Sequence, residues 1–236
     1  MHGDDRRRAA ELDHRRKVPE HIERQIFAPV IELGSTPTVI TVHPSLAARD
    51  LKSFIEAARK AAGGLSYNSP GIASPPHLAG ELLARAAGIP LVHVSYRGTQ
   101  PAVTDLLAGH IQVMMAPLNA VLPFIREKQL YPIAVTDAER TKYLPDVPTL
   151  REAGVTNMPP VTSWFAVLTT GGSPPAAISR LNAEISKVLH DQKVDERLAS
   201  QTFVIRGGSP EQLAARMRGD AATIAAIVAQ ARITAE

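Results

Sequence analysis

The chain has 236 residues, of which 44% are hydrophobic and 21% charged, and its formal net charge is +3. These values are typical of a globular protein with a substantial core, as one domain or two small lobes, and they exclude a fibrous or disordered chain. Aromatic residues amount to only 4% and basic residues are dispersed, so no nucleic-acid partner is expected, and the lack of cysteine excludes disulfides and thiolate metal centres.

The first 25 residues differ from the rest of the chain. They contain DDRRRAAELDHRRK, show no clean periodicity and lack the apolar segment of a secretory signal, which predicts a frayed helix or a tail with no signal peptide. No apolar run approaches the roughly 20 residues that a membrane-spanning helix needs.

Beyond residue 25, short apolar segments alternate with segments of helical periodicity. The predicted strands are 28–33, 38–43, 91–95, 111–116, 132–136, 164–168 and 203–206. The predicted helices end at glycines or begin at Ser-Pro pairs, and they lie at about 47–62, 76–87 and 99–108, after Ser173-Pro174 and after Ser209-Pro210. Strands that alternate with helices imply βαβ units and a largely parallel sheet.

Two turns are rich in Gly, Ser and Thr, SYNSPGIASPPH and SYRGTQP, and each leads from a strand-like segment into a helix. Such turns present free backbone N–H groups at a helix start, which can hold a small anion without a metal or a catalytic side chain. In α/β folds, ligands bind beyond the carboxyl ends of strands, where both turns are predicted to lie. The sequence therefore indicates an anion binder.

Catalytic motifs are missing from the sequence. It contains no G-x-S-x-G elbow, H-E-x-x-H, P-loop or G-x-G-x-x-G, and its eight histidines show no metal-ligand spacing. Ser69, His77 and Asp105 could form a triad, but nothing in their spacing requires one. We predict no enzymatic activity, no cofactor and no metal.

Several of these residues also have purely structural interpretations. Ser74 and Thr99 are suitable N-caps, a role that is compatible with anion binding. His77 could donate to a ligand or pack against Tyr67. Trp164 is expected in the core.

A long part of the chain carries motifs that are specific in combination. They are HLAGEL, the Tyr-x-Gly-x-x-Pro-Ala turn and LPDVPT, within YNSPGIASPPHLAGELLARAAGIPLVHVSYRGTQPAVTDLLAGHIQVMM, IAVTDAERTKYLPDVPTLREAGV and SWFAVLTTGGSPP. The sequence resembles the solute receptors of tripartite tricarboxylate transporters, the Bug/TctC type of extracytoplasmic binding protein. The similarity begins near 17–27 and continues to the C-terminus.

This resemblance implies an α/β fold, the periplasmic-binding-protein-like type II fold, in which two lobes joined by a hinge close on a small carboxylate. The first lobe would combine 17–43 with 161–236, the second lobe would be 44–160, and residues 1–16 would be an unmatched charged tail. The chain would cross between lobes near 39–43 and 162–168. Membrane permease subunits would receive the ligand, in the periplasm.

The family's ligand loops fall on three turns and one strand end of this sequence. The implied ligand-binding residues are Ser35, Thr36, Ser69, Gly71, Ala73, Ser74, His77, Tyr96, Gly98, Thr99 and Ala116. Ala116 stands where many relatives that bind amino-acid-like ligands carry Asp, which favours a dicarboxylate, tricarboxylate or aromatic acid over an amino acid.

The sequence departs from the family at its N-terminus. Family members usually begin with a signal peptide, a strand and a Pro-Gly-Gly turn, for which this chain has only the charged segment. The resemblance thus predicts an N-terminally truncated or mis-started chain with an incomplete first lobe. Two alternatives are a cytosolic ligand-sensing module of the same fold and a truncated product without function.

Overall fold

The computed structural model describes residues 26–231, so the predictions for residues 1–25 lie outside it. Within 26–231, eight strands form two sheets and seven helices pack around them. The strands are β1 (Phe27–Thr36), β2 (Thr38–Val42), β3 (Leu65–Ser69), β4 (Leu91–Ser95), β5 (Val113–Pro117), β6 (Tyr131–Val135), β7 (Ser163–Thr170) and β8 (Val204–Ile205). The helices are α1 (Leu51–Lys60), α2 (Pro75–Ala87), α3 (Thr99–Leu107), α4 (Leu118–Arg126), α5 (Pro175–Leu189), α6 (Gln192–Ser200) and α7 (Pro210–Ala231).

The larger sheet has five strands in the order β4-β3-β5-β2-β6 and is mixed. β3 pairs in parallel with β4 and β5, whereas β2 pairs antiparallel with β5 and β6. The expectation of a largely parallel sheet is therefore wrong for β2. This strand arrives from the other sheet through a single residue, Pro37, without the crossover helix that a parallel neighbour requires.

Two apolar cores cover the faces of the five-stranded sheet. One lies under α1 and α2 and includes the fully buried Phe54, and the other lies under α3 and α4 and includes Leu106. Successive residues of β2 point to opposite faces, so Ile40 joins the first core and Val39 the second. Burial on both faces explains why the strand segments are almost continuously apolar.

The smaller sheet has three strands in the order β7-β1-β8 and is antiparallel throughout. Helices α5 and α7 pack against β1. Its core cluster contains only Val30, Ile31 and Leu189 among the buried residues of the described chain. Within residues 26–231, the small sheet therefore buries much less apolar surface than the five-stranded sheet.

The chain passes between the sheets twice. β1 ends at Thr36 in the small sheet and β2 begins at Thr38 in the large one, so the first crossing is at Pro37. This corrects the sequence-based placement of the crossing near 39–43, since Thr38–Val42 belongs to the large sheet. The second crossing lies at Thr162, just before β7, within the predicted range.

Local signals explain the helix boundaries that the sequence predicts. α1 begins after Asp50, whose carboxylate accepts a hydrogen bond from the Ser53 N–H at 2.7 Å, and α2 ends at Gly88 in the left-handed conformation. The sequence analysis does not predict α4, whose helical pattern is interrupted by Pro123, or α6, which Asp191 caps.

Among the described helices, none has both the length and the apolar character to cross a bilayer.

Candidate functional site

The candidate site lies at one edge of the five-stranded sheet, which we call the carboxyl edge. β3, β4, β5 and β6 end there and β2 begins there, because β2 alone runs in the opposite direction. The strand residues that reach this edge are Thr38, Ser69, Ser95, Pro117 and Val135. The two glycine-containing turns follow β3 and β4, so the structure brings them together as predicted.

In the first turn, residues 69–74, many polar groups form hydrogen bonds within the turn or with neighbouring histidines. The Ser69 hydroxyl lies 2.7 Å from Nε2 of His93 and also bonds to the backbone of Gly71. The Ala73 N–H donates to Nδ1 of His77 at 2.9 Å. Because Ser69 is fully buried and His77 is 5% exposed, both side chains brace the turn from inside.

The N-terminus of α2, which follows this turn, has its N–H groups satisfied or absent. Ser74 is the N-cap, and its Oγ accepts from the His77 N–H at 3.4 Å. Pro75 and Pro76 occupy the first two helical positions and have no N–H group. The sequence-based expectation that this helix start presents free N–H groups to an anion is therefore wrong.

The second turn leads into an open helix N-terminus. Gly98, with φ of 106°, is the N-cap of α3 and has no side chain that could cap the helix. Among the described residues, the N–H groups of Thr99 and Gln100 therefore have no capping partner. Thr99 is thus the first helical residue and not the predicted cap. The Gly98 N–H donates to the carbonyl of Pro70 at 2.9 Å, which joins the two turns. Arg97 is exposed and makes no ion pair with the described residues.

A second open N-terminus belongs to α4, which the sequence did not reveal. Pro117 is its N-cap and offers no side-chain hydrogen bond. The Leu118 N–H donates to the carbonyl of Pro37 at 2.8 Å, whereas the N–H groups of Asn119 and Ala120 have no capping partner in the described part of the chain. Asn119 is exposed. Since α3 and α4 pack side by side, two helix N-termini with partial positive charge lie at the carboxyl edge.

Three other predicted residues lie near this edge in different surroundings. Ser35 and Thr36 end β1, next to the first crossing, and their hydroxyl groups make no hydrogen bond to any described residue. Ala116 is fully buried in the core under α4. A contact between Ala116 and a ligand stays a prediction.

Asp137 is a feature of the site that sequence reasoning missed. Its carboxylate accepts hydrogen bonds from the Thr38 N–H at 3.2 Å and from the Thr162 hydroxyl at 2.8 Å, so it connects both crossings. Burial raises the pKa of Asp137, against the opposing effect of these two hydrogen bonds and of Arg206. No local pattern marks the residue, because its partners lie 99 and 25 positions away.

Asp105 is the hydrogen-bond partner of Tyr96 and is not part of a catalytic triad. The Tyr96 hydroxyl donates to the Asp105 carboxylate, and this bond lowers the pKa of Asp105. Burial, together with Asp105, raises the pKa of Tyr96 to about 12. Ser69 pairs with His93, so the Ser69, His77 and Asp105 arrangement is not formed. Within the described residues, no group of three acidic or histidine side chains could hold a metal ion.

An apolar groove lies apart from the open helix ends. It has a volume of about 330 Å³, lies between α2 and α7, and is lined by residues that include Pro75, Leu78, Trp164 and Ile224. Trp164 is only half-buried, and its Nε1–H donates to Asp220 at 2.6 Å. None of the predicted ligand residues lines this groove.

Two sheets linked by two crossings, with open helix N-termini at the edge where the chain crosses, define a two-lobed binding protein of the periplasmic type. The family model described as the tripartite tricarboxylate transporter family receptor, TctC, matches residues 12–232, and the chain belongs to this family. The match begins at residue 12, somewhat before the predicted start near 17.

Relatives and solved structures agree with this membership. A UPF0065 protein from the tcbD-tcbE intergenic region of a Pseudomonas species is 34% identical over 219 residues, which are 93% of this chain and 65% of the relative. A structure from R. palustris with adipate is 27% identical with a TM-score of 0.83, and the match covers 93% of this chain and 73% of that one. MatC from Rhodopseudomonas palustris, with bound malate, is 26% identical with a TM-score of 0.76, over 86% of this chain and 69% of that one.

These matches confirm the α/β, periplasmic-binding-protein-like fold class. The chain spans about two thirds of the length of the Pseudomonas relative and 73% of the adipate-bound structure.

Proposed function

We propose that this chain is a solute receptor that captures a small carboxylate for a tripartite tricarboxylate transporter. The observation that carries the proposal is the pair of open N-termini of α3 and α4 at the carboxyl edge. Unpaired N–H groups and the helix dipole favour a carboxylate at such a place. The two sheets would form the two lobes that enclose it, with Ser35 and Thr36 as hydroxyl donors from the small sheet.

A carboxylate without an ammonium group fits this site better than an amino acid. The carboxylate nearest the crossings, Asp137, already accepts hydrogen bonds from Thr38 and Thr162. Ala116 offers no charge to an ammonium group, and Arg97 adds a positive charge to the second turn. The ligands of two structural relatives, adipate and malate, are dicarboxylates. A dicarboxylate, a tricarboxylate or an aromatic acid is therefore the proposed ligand class.

The family further suggests the setting in which the receptor works. Permease subunits of a tripartite tricarboxylate transporter are the proposed protein partners, and the periplasm is the proposed location. No nucleic-acid partner and no catalytic step are proposed. A ligand-sensing role in the cytosol is the second candidate, and it predicts the same binding without delivery to a permease.

Binding of a carboxylate is expected to stabilise the protein without consuming the ligand. A ligand at about 100 times its Kd adds about 2.7 kcal/mol to the free energy of unfolding. The measurement is Tm against a panel that includes adipate, malate and an aromatic acid, with each acid recovered and quantified afterwards. Amino acids with the same chain length serve as controls. No shift with any acid, or chemical conversion of one, would contradict the proposal.

Substitutions of Thr99 can distinguish ligand binding by its backbone N–H group from ligand binding by its hydroxyl group. Proline is well tolerated at the first position of a helix, and the extended ψ of 175° at Gly98 suits a following proline. Thr99→Pro removes the N–H group and should weaken carboxylate binding about tenfold or more, since a hydrogen bond to a charged group contributes about 1.5–3 kcal/mol.

The matched control for this test is Thr99→Ala, which keeps the N–H group and removes only the hydroxyl. Calorimetry on both variants should show the larger loss for proline. Equal affinities in Thr99→Pro and the unmodified chain would show that the N-terminus of α3 does not hold the ligand.

A further inference from the structure

The first turn contains a residue in an unfavourable backbone conformation. Ala73 has φ of 58°, in the left-handed region that residues with a Cβ rarely adopt. A conformation of this kind persists only where surrounding contacts hold it. The Ala73 N–H donates to Nδ1 of His77 at 2.9 Å, and this bond is the contact that the structure supplies.

This hydrogen bond requires one particular form of His77. Nδ1 must carry a lone pair to accept from Ala73, so the proton of the neutral ring is on Nε2, which faces Oε1 of Glu81 at 3.8 Å. A protonated ring would carry an N–H at both nitrogens. The Nδ1–H would then point at the Ala73 N–H, and two donors would face each other. Protonation of His77 is thus incompatible with the turn as it stands.

The contact with His93 is a second reason why the His77 ring is neutral. Its ring stacks on that of His77 with centroids 3.7 Å apart and planes at 16°. Its Nε2 bonds to Ser69 Oγ at 2.7 Å, where the turn begins. Tyr67 is the other aromatic neighbour, at 5.1 Å between ring centroids, and the phenol bonds to Glu81. Two positive rings at the stacking distance would repel each other, so the stack favours neutral histidines.

Burial and the neighbouring ionisable groups have opposing effects on the pKa values of His77 and His93. Burial lowers the pKa of His77, and Glu81 opposes this effect. Burial, and then His77, lower the pKa of His93 to about 4. Because the folded turn disfavours protonation, it loses stability as the pH falls from about 6.5, the value of a free histidine, towards about 4.

The first turn also determines where the second turn lies. The carbonyl of Ser69 accepts from the Tyr96 N–H at 3.2 Å, and the carbonyl of Pro70 accepts from the Gly98 N–H at 2.9 Å. Gly98 is the N-cap of α3. A displacement of the first turn therefore moves the open N-terminus that is the proposed carboxylate site.

We propose that His77 and His93 are positioning residues that hold the first turn only while both rings are neutral, so that acid loosens the turn and releases the carboxylate. The inference about release rests on the proposed function. The inference about the turn does not, and it can be tested without any ligand.

The test measures amide protection of Ala73 and Ser74 by hydrogen exchange between pH 7.5 and 4.5, without ligand. In the unmodified chain the protection factor should be constant above about pH 6.5 and fall about tenfold or more by pH 4.5. His77→Asn places an oxygen acceptor near the position of Nδ1, and this acceptor does not titrate. Protection should therefore fall less in acid than in the unmodified chain, because His93 is then the remaining titrating ring of the pair. His77→Phe keeps the stack but removes the acceptor, and protection should be low at every pH.

Two controls keep the test decisive. His190→Gln changes an exposed histidine at the end of α5 and should leave the pH profile of Ala73 unchanged. Nitrogen chemical shifts of the unmodified protein report directly whether His77 carries its proton on Nε2, as required. A flat pH profile in the unmodified chain, an equal fall in His77→Asn, or a proton on Nδ1 of His77 at pH 7.5 would overturn the inference.

Release is measured separately, as the Kd for adipate over the range from pH 7.5 to 6.0, where both carboxyl groups of the acid stay largely ionised. Weaker binding of adipate in acid by the unmodified chain, together with a smaller effect in His77→Asn, supports the inference. If adipate and the rest of the acid panel fail to bind at any pH, the proposed function fails while the result for the turn stands. If an acid binds equally well throughout, coupling between the turn and the site is excluded.

Discussion

Native-state hydrogen exchange is expected to divide the chain into a slow part and a fast part, with boundaries at Pro37 and Thr162. The slow amides should lie in the five-stranded sheet, including β2. The fast amides should lie in β1, β7 and β8. Among the described residues, the two cores of the large sheet contain 18 and 12 buried apolar side chains, and the core of the small sheet contains three. Local opening is least costly where few apolar contacts are lost.

The small sheet also exposes apolar side chains that favour self-association. Phe27, Phe165 and Leu168 are 53%, 50% and 37% exposed, and β7 has a partner strand on one side only within residues 26–231. Unpaired strand edges and exposed apolar side chains are the usual sites of association between chains. Light scattering should therefore show a molecular weight that rises with protein concentration.

Two variants test whether the small sheet is responsible for this association. Phe165→Ser with Leu168→Ser should reduce it, whereas Val92→Ser, which changes a side chain 44% exposed on the edge strand β4, should not. Uniformly strong protection across both sheets, or a monomer at all concentrations, would show that the small sheet is a stable unit by itself.

Gly80→Ala is expected to destabilise the protein by about 2 kcal/mol or more, although alanine is the better helix former by about 1 kcal/mol. A Cβ at Gly80 would lie 2.3–2.6 Å from the ring and hydroxyl of Tyr67. Tyr67 is fully buried, and its hydroxyl bonds to Glu81 and to the carbonyl of His77, so the ring cannot move aside without losing these bonds. Urea denaturation measures the change.

Gly219→Ala is the matched control for this substitution. Gly219 also lies in a helix, α7, and a Cβ there would contact no other described part of the chain within 4 Å beyond its own helix backbone. The same change should therefore stabilise the protein by about 0.5–1 kcal/mol. In the double variant with Tyr67→Leu, part of the cost of Gly80→Ala should disappear, because the smaller side chain leaves room. Equal effects of the two glycine substitutions would show that packing against Tyr67 is not the cause.

Much of the local structure could be predicted from the sequence because its signals are local. β4 coincides with the predicted strand at 91–95, and α2 lies close to the predicted 76–87, with the predicted Ser74 at its start and Gly88 at its end. A side chain that caps a helix start and a glycine that adopts positive φ act within a few residues. The placement of both glycine-containing turns at one sheet edge follows from the same alternation of strands and helices.

The donors at the site were harder to predict. The sequence predicts free N–H groups at the start of α2, but Pro75 and Pro76 have no N–H group and the Ser74 hydroxyl accepts from the N–H of His77. The open N-terminus of α4 was hidden because Pro123 breaks the periodicity that identifies a helix. Proline removes a single hydrogen bond here, and packing against the sheet maintains the helix.

By itself the sequence determined the family, the α/β class and most helix and strand positions, since these depend on periodicity and short motifs. Only the tertiary structure decided which sheet contains β2, which helix ends stay open, and which polar groups pair. Ser69 forms a hydrogen bond with His93, which is 24 positions away in the sequence, and Asp137 forms one with Thr38, which is 99 positions away. Such pairs form because strand order brings distant segments together, and no pattern within one segment encodes a partner in another.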